Sequence, residues 1–325
     1  MDILQEELNE VKTQIKNYPN TILEACVKAM VRVKFQPTIY KQLVACFQFP
    51  DEYPNKSTLI EIRSKYLSQK LSDGLTKLCE EEIKKYIGKP QILRTLAFIS
   101  KFLQENPLCW CSEEIFRVRK QLQEDDKLKI HQNTSSLSLI ALDSGYKLKY
   151  SLIIPQNYPV SQVEIEEKEC NYPPVLRRWF LANSKEIARK CVMAPTKQNP
   201  KEPPFVLKPS LEPVAEFLIN EAHKYSNMDC PVCGKRCFSS THSDVETDEN
   251  KAKYVERVYC GHIYHFACLD SYIRTPPFQG GKVCLICKMR IYHDRWKLTP
   301  ELAEKRWAHK QAKQRELDEV VDFLS

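Results

Sequence analysis

In the C-terminal third of the chain, eight cysteines and histidines follow one another as Cys230, Cys233, Cys260, His262, His265, Cys268, Cys284 and Cys287. Two CxxC pairs bracket a central CxHxxHxxC, so thiolate and imidazole are supplied in the numbers that fill two tetrahedral shells. The pattern therefore predicts two structural Zn²⁺ ions per chain, with no coordination position left open for water. A lone CxxC would be ambiguous between a metal half-site and a redox pair. His262 and His265, interleaved at ligand spacing, remove the ambiguity. A metal held by four protein ligands organises its loops and cannot activate water, which excludes direct metal catalysis under this assignment.

The arrangement resembles the cross-braced RING finger with two histidines. By that resemblance Cys230, Cys233, His265 and Cys268 hold the first zinc, and Cys260, His262, Cys284 and Cys287 hold the second. A PHD finger would place CxxC and then HxxC in the middle. A DNA-binding finger would close with HxxxH after about a dozen residues.

A chain of 325 residues has room for two or three domains, and a hydrophobic content of 42% is that of a globular protein. The opening MDILQEELNE is acidic and lacks the basic start and apolar core of a secretory signal, and no apolar run is long enough to span a membrane. The expected location is the cytosol or nucleus, with no membrane partner. Seven cysteines lie scattered before residue 200 without paired spacing and read as free thiols. The net charge of +7 allows acidic partners without demanding nucleic acid. One stretch is locally basic: Arg177, Arg178, Lys185, Arg189, Lys190, Lys197, Lys201 and Lys208 against Glu186 and Glu202. It reads as a solvated face, with a docking patch for an acidic protein or a phosphate backbone as the alternative.

Ahead of the finger the chain repeats itself. Phe49-Pro50-Asp51-Glu52-Tyr53-Pro54 is echoed by Ile154-Pro155-Gln156-Asn157-Tyr158-Pro159, the two tyrosines standing 105 residues apart (158 minus 53). At the same offset Leu43, Ala45, Phe47 and Phe49 alternate as Leu148, Tyr150, Leu152 and Ile154 do, the period of a half-buried strand. Short strands follow each Tyr-Pro, with Leu59 and Ile60 in one copy and Val163 and Ile165 in the other. Upstream strands are predicted over Val27, Ala29, Val31, Val33 and Phe35, and around Leu137, Leu139 and Ala141.

Helical spacing then takes over. It runs through Leu67, Leu71, Leu75 and Leu78, and after Gly88 and Pro90 through Ile92, Leu96, Ile99 and Leu103. In the second copy a helical stretch from Val175 to Val192 gives way to a loop punctuated by Pro195, Pro200, Pro203, Pro204, Pro209 and Pro213, then a helix with Val214, Phe217 and Leu218 inward. An opening helix with Leu4, Leu8, Val11 and Ile15 is expected to pack on its own sheet. Strands followed by helices make an α+β layer.

Strand, strand, a Pro-x-x-Tyr-Pro turn, strand and C-terminal helices resemble the RWD domain, a non-catalytic relative of the ubiquitin-conjugating fold. That family adds a Pro four residues after the Tyr-Pro proline, where this chain has Thr58 and Val163. A conjugating enzyme would continue with His-Pro-Asn and a nucleophilic cysteine. Here the sequence after Ile165 reads EEKECNYPPVLRRWF, and Cys170 and Cys191 have no flanking partners of that kind, so both read as inert thiols.

The expected organisation is thus a RWD-like domain over 1–123, a second over 124–226, a RING finger over 227–297 and a C-terminal helix over 298–325. Two RWD-like modules ahead of a RING are similar to the ubiquitin ligase subunit of the Fanconi anaemia core complex, which carries a further domain ahead of the pair. The resemblance implies a RING-type ubiquitin ligase or ligase subunit, docking a ubiquitin-charged conjugating enzyme on the finger and a protein substrate or partner on the repeated modules. Transfer would proceed by orientation of the thioester, without a covalent intermediate on the ligase.

By the same resemblance Val232, Tyr272 and Leu285 contact the conjugating enzyme, and Lys288 stands where a cationic linchpin touches ubiquitin and enzyme together. Packing of a small core is the alternative for the first three, and a solvated lysine for the last. Lys in place of Arg keeps the charge and loses the planar fork of donors. The rival function is a non-catalytic zinc-binding scaffold for protein–protein interaction.

Twenty-six residues separate Cys233 from Cys260, including GKRCFSSTHSDVETDENKAKY, which reads as an extended and partly mobile loop with Cys237 and His242 as spare ligands. Thr299-Pro300-Glu301 marks a helix start, and the helix beyond is expected to lean on the finger through Leu302 and Trp307.

Overall fold

A computed structural model of the chain describes residues 3–195, 203–239, 245–296 and 299–324. The first module is an antiparallel meander of β1 (Thr21–Val27), β2 (Met30–Thr38), β3 (Lys41–Gln48) and β4 (Leu59–Arg63) in sequential order. Helix α1 (Ile3–Gln14) precedes it, and α2 (Gln69–Lys84) and α3 (Ile92–Glu105) follow. The register pairs Val33 with Ala45 and Phe47 with Ile60. Alternation therefore turns Val31, Val33, Leu43, Ala45, Phe47, Ile60 and Ile62 to one face, where they meet Leu8 and Val11 of α1, Leu75, Cys79 and Ile83 of α2, and Ile92, Leu96 and Ile99 of α3.

The alternation from Val27 to Phe35 is interrupted by a turn at Lys28 and Ala29, so Val27 closes a separate strand, β1. The inward face of α2 passes through Cys79, leaving Leu78 44% exposed.

The second module repeats the order and begins ahead of the boundary expected at 124: α4 (Ser112–Gln121), the meander β5 (Lys127–His131), β6 (Ser136–Asp143), β7 (Tyr146–Ile153) and β8 (Glu164–Cys170), then α5 (Pro174–Val192) and α6 (Leu211–Ser226). Leu137, Leu139, Ala141, Leu148, Tyr150 and Leu152 are buried as the alternation requires. Helix α6 begins earlier than expected and takes in Pro213, because a proline in the first turn lacks only an N–H that would have had no intrahelical partner. Pro200, Lys197 and Lys201 lie outside the described residues.

Both modules are built on the same buried polar node. In the first, the Tyr53 hydroxyl donates to Glu7 of α1, whose other carboxylate oxygen accepts the N–H groups of Gln91 and Ile92 at the start of α3, at 2.8 and 2.7 Å. In the second, the Tyr158 hydroxyl donates to Glu114 of α4 at 2.8 Å, Leu211 N–H donates to that hydroxyl, and Glu212 N–H donates to Glu114 at the start of α6. A carboxylate at a helix N-terminus satisfies orphan donors and meets the positive end of the dipole. The residue at the helix entrance then captures the chain after Tyr-Pro: Gln91 Oε1 accepts Thr58 N–H, and Ser210 Oγ accepts Val163 N–H, at 2.8 and 2.9 Å.

Contacts divide the chain into two compact units. One comprises Met1–Leu139, Tyr150–Lys168 and Ser184–Phe217; the other comprises Ile140–Lys149, Glu169–Asn183 and Leu218–Ser325. In the latter, Tyr146, Tyr172, Phe180, Tyr225 and Phe238 form a chain of ring contacts, with Tyr146 5.2 Å from both Tyr172 and Phe238. Phe238 and Tyr254 are buried near the two ends of the segment expected to be an extended loop, and Tyr146 and Tyr172 give Phe238 its apolar surface. Among the described residues no helix is long and apolar enough to cross a membrane.

Burial raises the Glu7 and Glu114 carboxyls above the usual carboxylate range. The native state then holds protons that the unfolded chain has released, so stability is greatest below the unfolded carboxyl pKa and falls as pH rises through the native one. Urea unfolding of Glu114→Gln against wild type across about pH 5 to 8 is expected to show this decline in the wild type and its reduction in the variant. Tyr158→Phe, which leaves Glu114 and Leu211 N–H short of a partner, is expected to cost about 1–3 kcal/mol.

Candidate metal centre

The two CxxC pairs form equivalent turns. Cys230 N–H donates to Lys235 and Gly234 N–H to Cys230, both at 2.8 Å; Cys284 N–H donates to Met289 at 2.7 Å and Lys288 N–H to Cys284 at 2.9 Å. Each turn is closed by a single bridge, Asp229 with Arg236 and Val283 with Arg290. The residue after each second cysteine is left-handed, Gly234 at φ 68° and Lys288 at φ 61°. Glycine reaches that conformation freely, whereas Lys288 is held there against its Cβ.

Between the turns, β9 (Val255–Arg257) and β10 (Ile263–His265) pair as a short hairpin, and α7 (Phe266–Arg274) follows directly. Cys260 and His262 occupy the hairpin turn; His265 ends β10 and Cys268 lies in the first turn of α7. Three residues of extended chain send His262 and His265 to opposite faces. The consequence is two interleaved clusters, Cys230, Cys233, His265 and Cys268 in one and Cys260, His262, Cys284 and Cys287 in the other, each with its ligand atoms within 4.8 Å of one another.

The geometry fits a tetrahedral ion. Sulfur-to-nitrogen edges of a thiolate and imidazole shell are roughly 3.5 Å. Here Cys233 Sγ lies 3.4 Å and Cys268 Sγ 3.9 Å from His265 Nδ1, and Cys260 Sγ lies 3.4 Å and Cys284 Sγ 3.5 Å from His262 Nδ1. His265 Nε2 meets the Arg236 carbonyl at 3.1 Å, which turns Nδ1 toward the sulfurs. Both clusters could hold a metal ion.

Three groups around the clusters carry no signal in the ligand spacing. Cys237 stands outside both clusters, buried, its Sγ 3.8 Å from the Ile263 carbonyl. The proximity of the two thiols pulls Cys230 far below the usual range and pushes Cys237 up. Tyr264, fully buried, places its hydroxyl 3.1 Å from Cys284 Sγ and accepts Leu285 N–H. Trp296 donates to Asp270 at 2.7 Å and packs on Phe266 at the base of α7. His242 lies outside the described residues.

On the outer surface Val232 is 40% exposed in the first turn. Tyr272 and Leu285 are half-buried, and Tyr272 donates to the Val283 carbonyl at 2.9 Å, tying α7 to the second turn. Exposed Ile286 extends that apolar surface. Lys288 is exposed, with Nζ folded back onto the Leu285 carbonyl at 2.9 Å. Helix α8 (Pro300–Leu324) starts on Thr299, whose hydroxyl accepts Leu302 N–H. It leans on the finger through buried Ala303 and through Trp307, 6.5 Å from Phe278, whereas Leu302 is exposed. In the basic stretch Arg178 pairs with Glu249, and Arg189 and Lys190 share Glu186.

The chain thus joins α+β meander modules to a Cys/His finger with two closed ligand clusters. Residues 2–106 match the RWD domain, which points to protein–protein interaction. No curated protein matches the chain.

Native mass spectrometry of the chain is expected to show one metal ion lost on Cys233→Ser and none on Cys237→Ala. Gly234→Ala, forced into a left-handed conformation, is expected to cost about 1 kcal/mol or more, whereas Lys288→Gly is expected to stabilise the finger by about 0.5–1 kcal/mol.

Proposed function

We propose that the chain is a RING-type ubiquitin-protein ligase or ligase subunit. The observation that carries this reading is the interleaving of the two clusters: each takes one CxxC turn and one half of the central segment, so the two sites brace each other. When bound, Zn²⁺ supplies cross-links and no reactive group, since every position is taken by protein. Folding free energy of about 10 kcal/mol or more per ion is available from such ligands.

The braced turns and α7 then present Val232, Leu285 and Tyr272 as an apolar dock for a ubiquitin-charged conjugating enzyme. Transfer follows from restricting the thioester to attack-ready orientations, with no covalent intermediate on this chain. The RWD domain at the N-terminus recruits the protein substrate or complex partner. The second module is a further RWD-like domain on this reading, supported by its repeat of the Tyr–Glu node and of the meander order. The tandem pair followed by a RING remains similar in architecture to the Fanconi anaemia core-complex ligase subunit, and cytosol or nucleus is the fitting location.

A second reading, a non-catalytic zinc scaffold, draws on Lys288. Its left-handed backbone and its bond to the Leu285 carbonyl occupy the charge that a linchpin would extend toward ubiquitin.

Self-ubiquitination with a panel of conjugating enzymes separates the two. A ligase forms chains with at least one of them, and Val232→Ala lowers the yield about tenfold at unchanged metal content. Metal-loaded protein that forms no chains with any enzyme of the panel is a scaffold.

A further inference from the structure

The first module holds a buried cation for which the described residues supply no counter-charge. Lys41 opens β3 and is 8% exposed. Its Nζ donates to the Gln156 carbonyl at 2.6 Å, in the turn that leads to Tyr158. An ammonium has three donors, so that bond leaves two to be satisfied. Among the described residues no carboxylate lies within ion-pair distance of Lys41. The ionisable groups that act on it are the thiols of Cys109 and Cys111, both held neutral by burial. Burying a charge without an opposite charge is costly, and the same burial holds the Lys41 ammonium below the usual lysine range.

Lys41 and Gln156 line a cavity of about 450 Å³, in the size range of small-molecule sites. Phe35, Leu103 and Trp110 give it apolar walls, Asn20, Ser135 and Asn157 add neutral hydrogen-bonding groups, and Lys41 is the single charged residue among those that line it. One cation balances one negative charge. A phosphate group, at about −1.5 to −2, would remain under-neutralised there. The position 105 residues on is Tyr146, which is uncharged, so the lysine has no counterpart in the second module.

We propose that this cavity is a binding site for a carboxylate carried on an apolar body, with Lys41 as the counter-ion.

Calorimetric titration of the full metal-loaded chain tests it, with 4-phenylbutyrate as probe and 4-phenylbutanamide as its uncharged isostere. The acid is expected to bind saturably, the amide at least about tenfold more weakly, and Lys41→Met to remove the difference. Should Lys41→Met fail to fold, the comparison of acid and amide on the wild-type chain still decides. N-acetylglutamate amide as a further probe distinguishes the source: tighter binding than phenylbutyrate assigns the carboxylate to an acidic side chain of a partner, weaker binding to a free small acid. Equal affinity for acid and amide, no saturable binding by either carboxylate, or displacement by inorganic phosphate in preference to acetate overturns the proposal.

Discussion

The finger rests on the opposed directions of two histidines. His262 and His265 leave the same short stretch of extended chain on opposite faces, and each draws a different CxxC turn toward it. The strands that carry them are three residues each, far too short to persist as an isolated hairpin. Buried Val258, Ile263, Tyr264, Leu269 and Ile273 give the segment a small core. Ligand geometry, with the hydrogen bonds of Tyr264 and the Arg236 carbonyl, accounts for why two turns far apart in sequence are drawn to one hairpin.

The modules ahead of it solve a different problem with one device used twice. A tyrosine in the turn, a glutamate on the first helix and the open N-terminus of the last helix meet in the interior, where each supplies what the others lack. Thr58 and Val163 then need their backbone N–H groups, because Gln91 and Ser210 accept them. The proline that the RWD pattern has at those places has no N–H to give, and so the departure from the pattern goes with a distinct way of fastening the chain.

Sequence alone carried the features that are local and periodic. Ligand spacing named the eight residues of the clusters, and alternation named Leu43, Ala45 and Phe47 and their counterparts Leu148, Tyr150 and Leu152 as inward. Strand β1 escaped because it lies at the sheet edge, half-exposed, and because alternation ran across the turn at Lys28 without a break. Strand β5, also at an edge, escaped in the same way. The polar nodes escaped for another reason. Glu7 and Gln91, or Glu114 and Leu211, lie many residues apart, and no spacing rule joins an acid on one helix to the first turn of another. Phe238 lies in a polar stretch of sequence, and the rings that bury it, Tyr146 and Tyr172, are far from it along the chain.

One contact joins the finger to the helix before it. The Tyr225 hydroxyl donates to the carbonyl of Gly261, which sits between Cys260 and His262, and Arg257 donates to that same hydroxyl while its guanidinium lies 3.4 Å over the ring of Trp179. The ligand loop and an indole of the second module are therefore two ends of one short lever. Movement of the loop that carries Cys260 and His262 is thereby coupled, through Tyr225 and Arg257, to the packing of that indole.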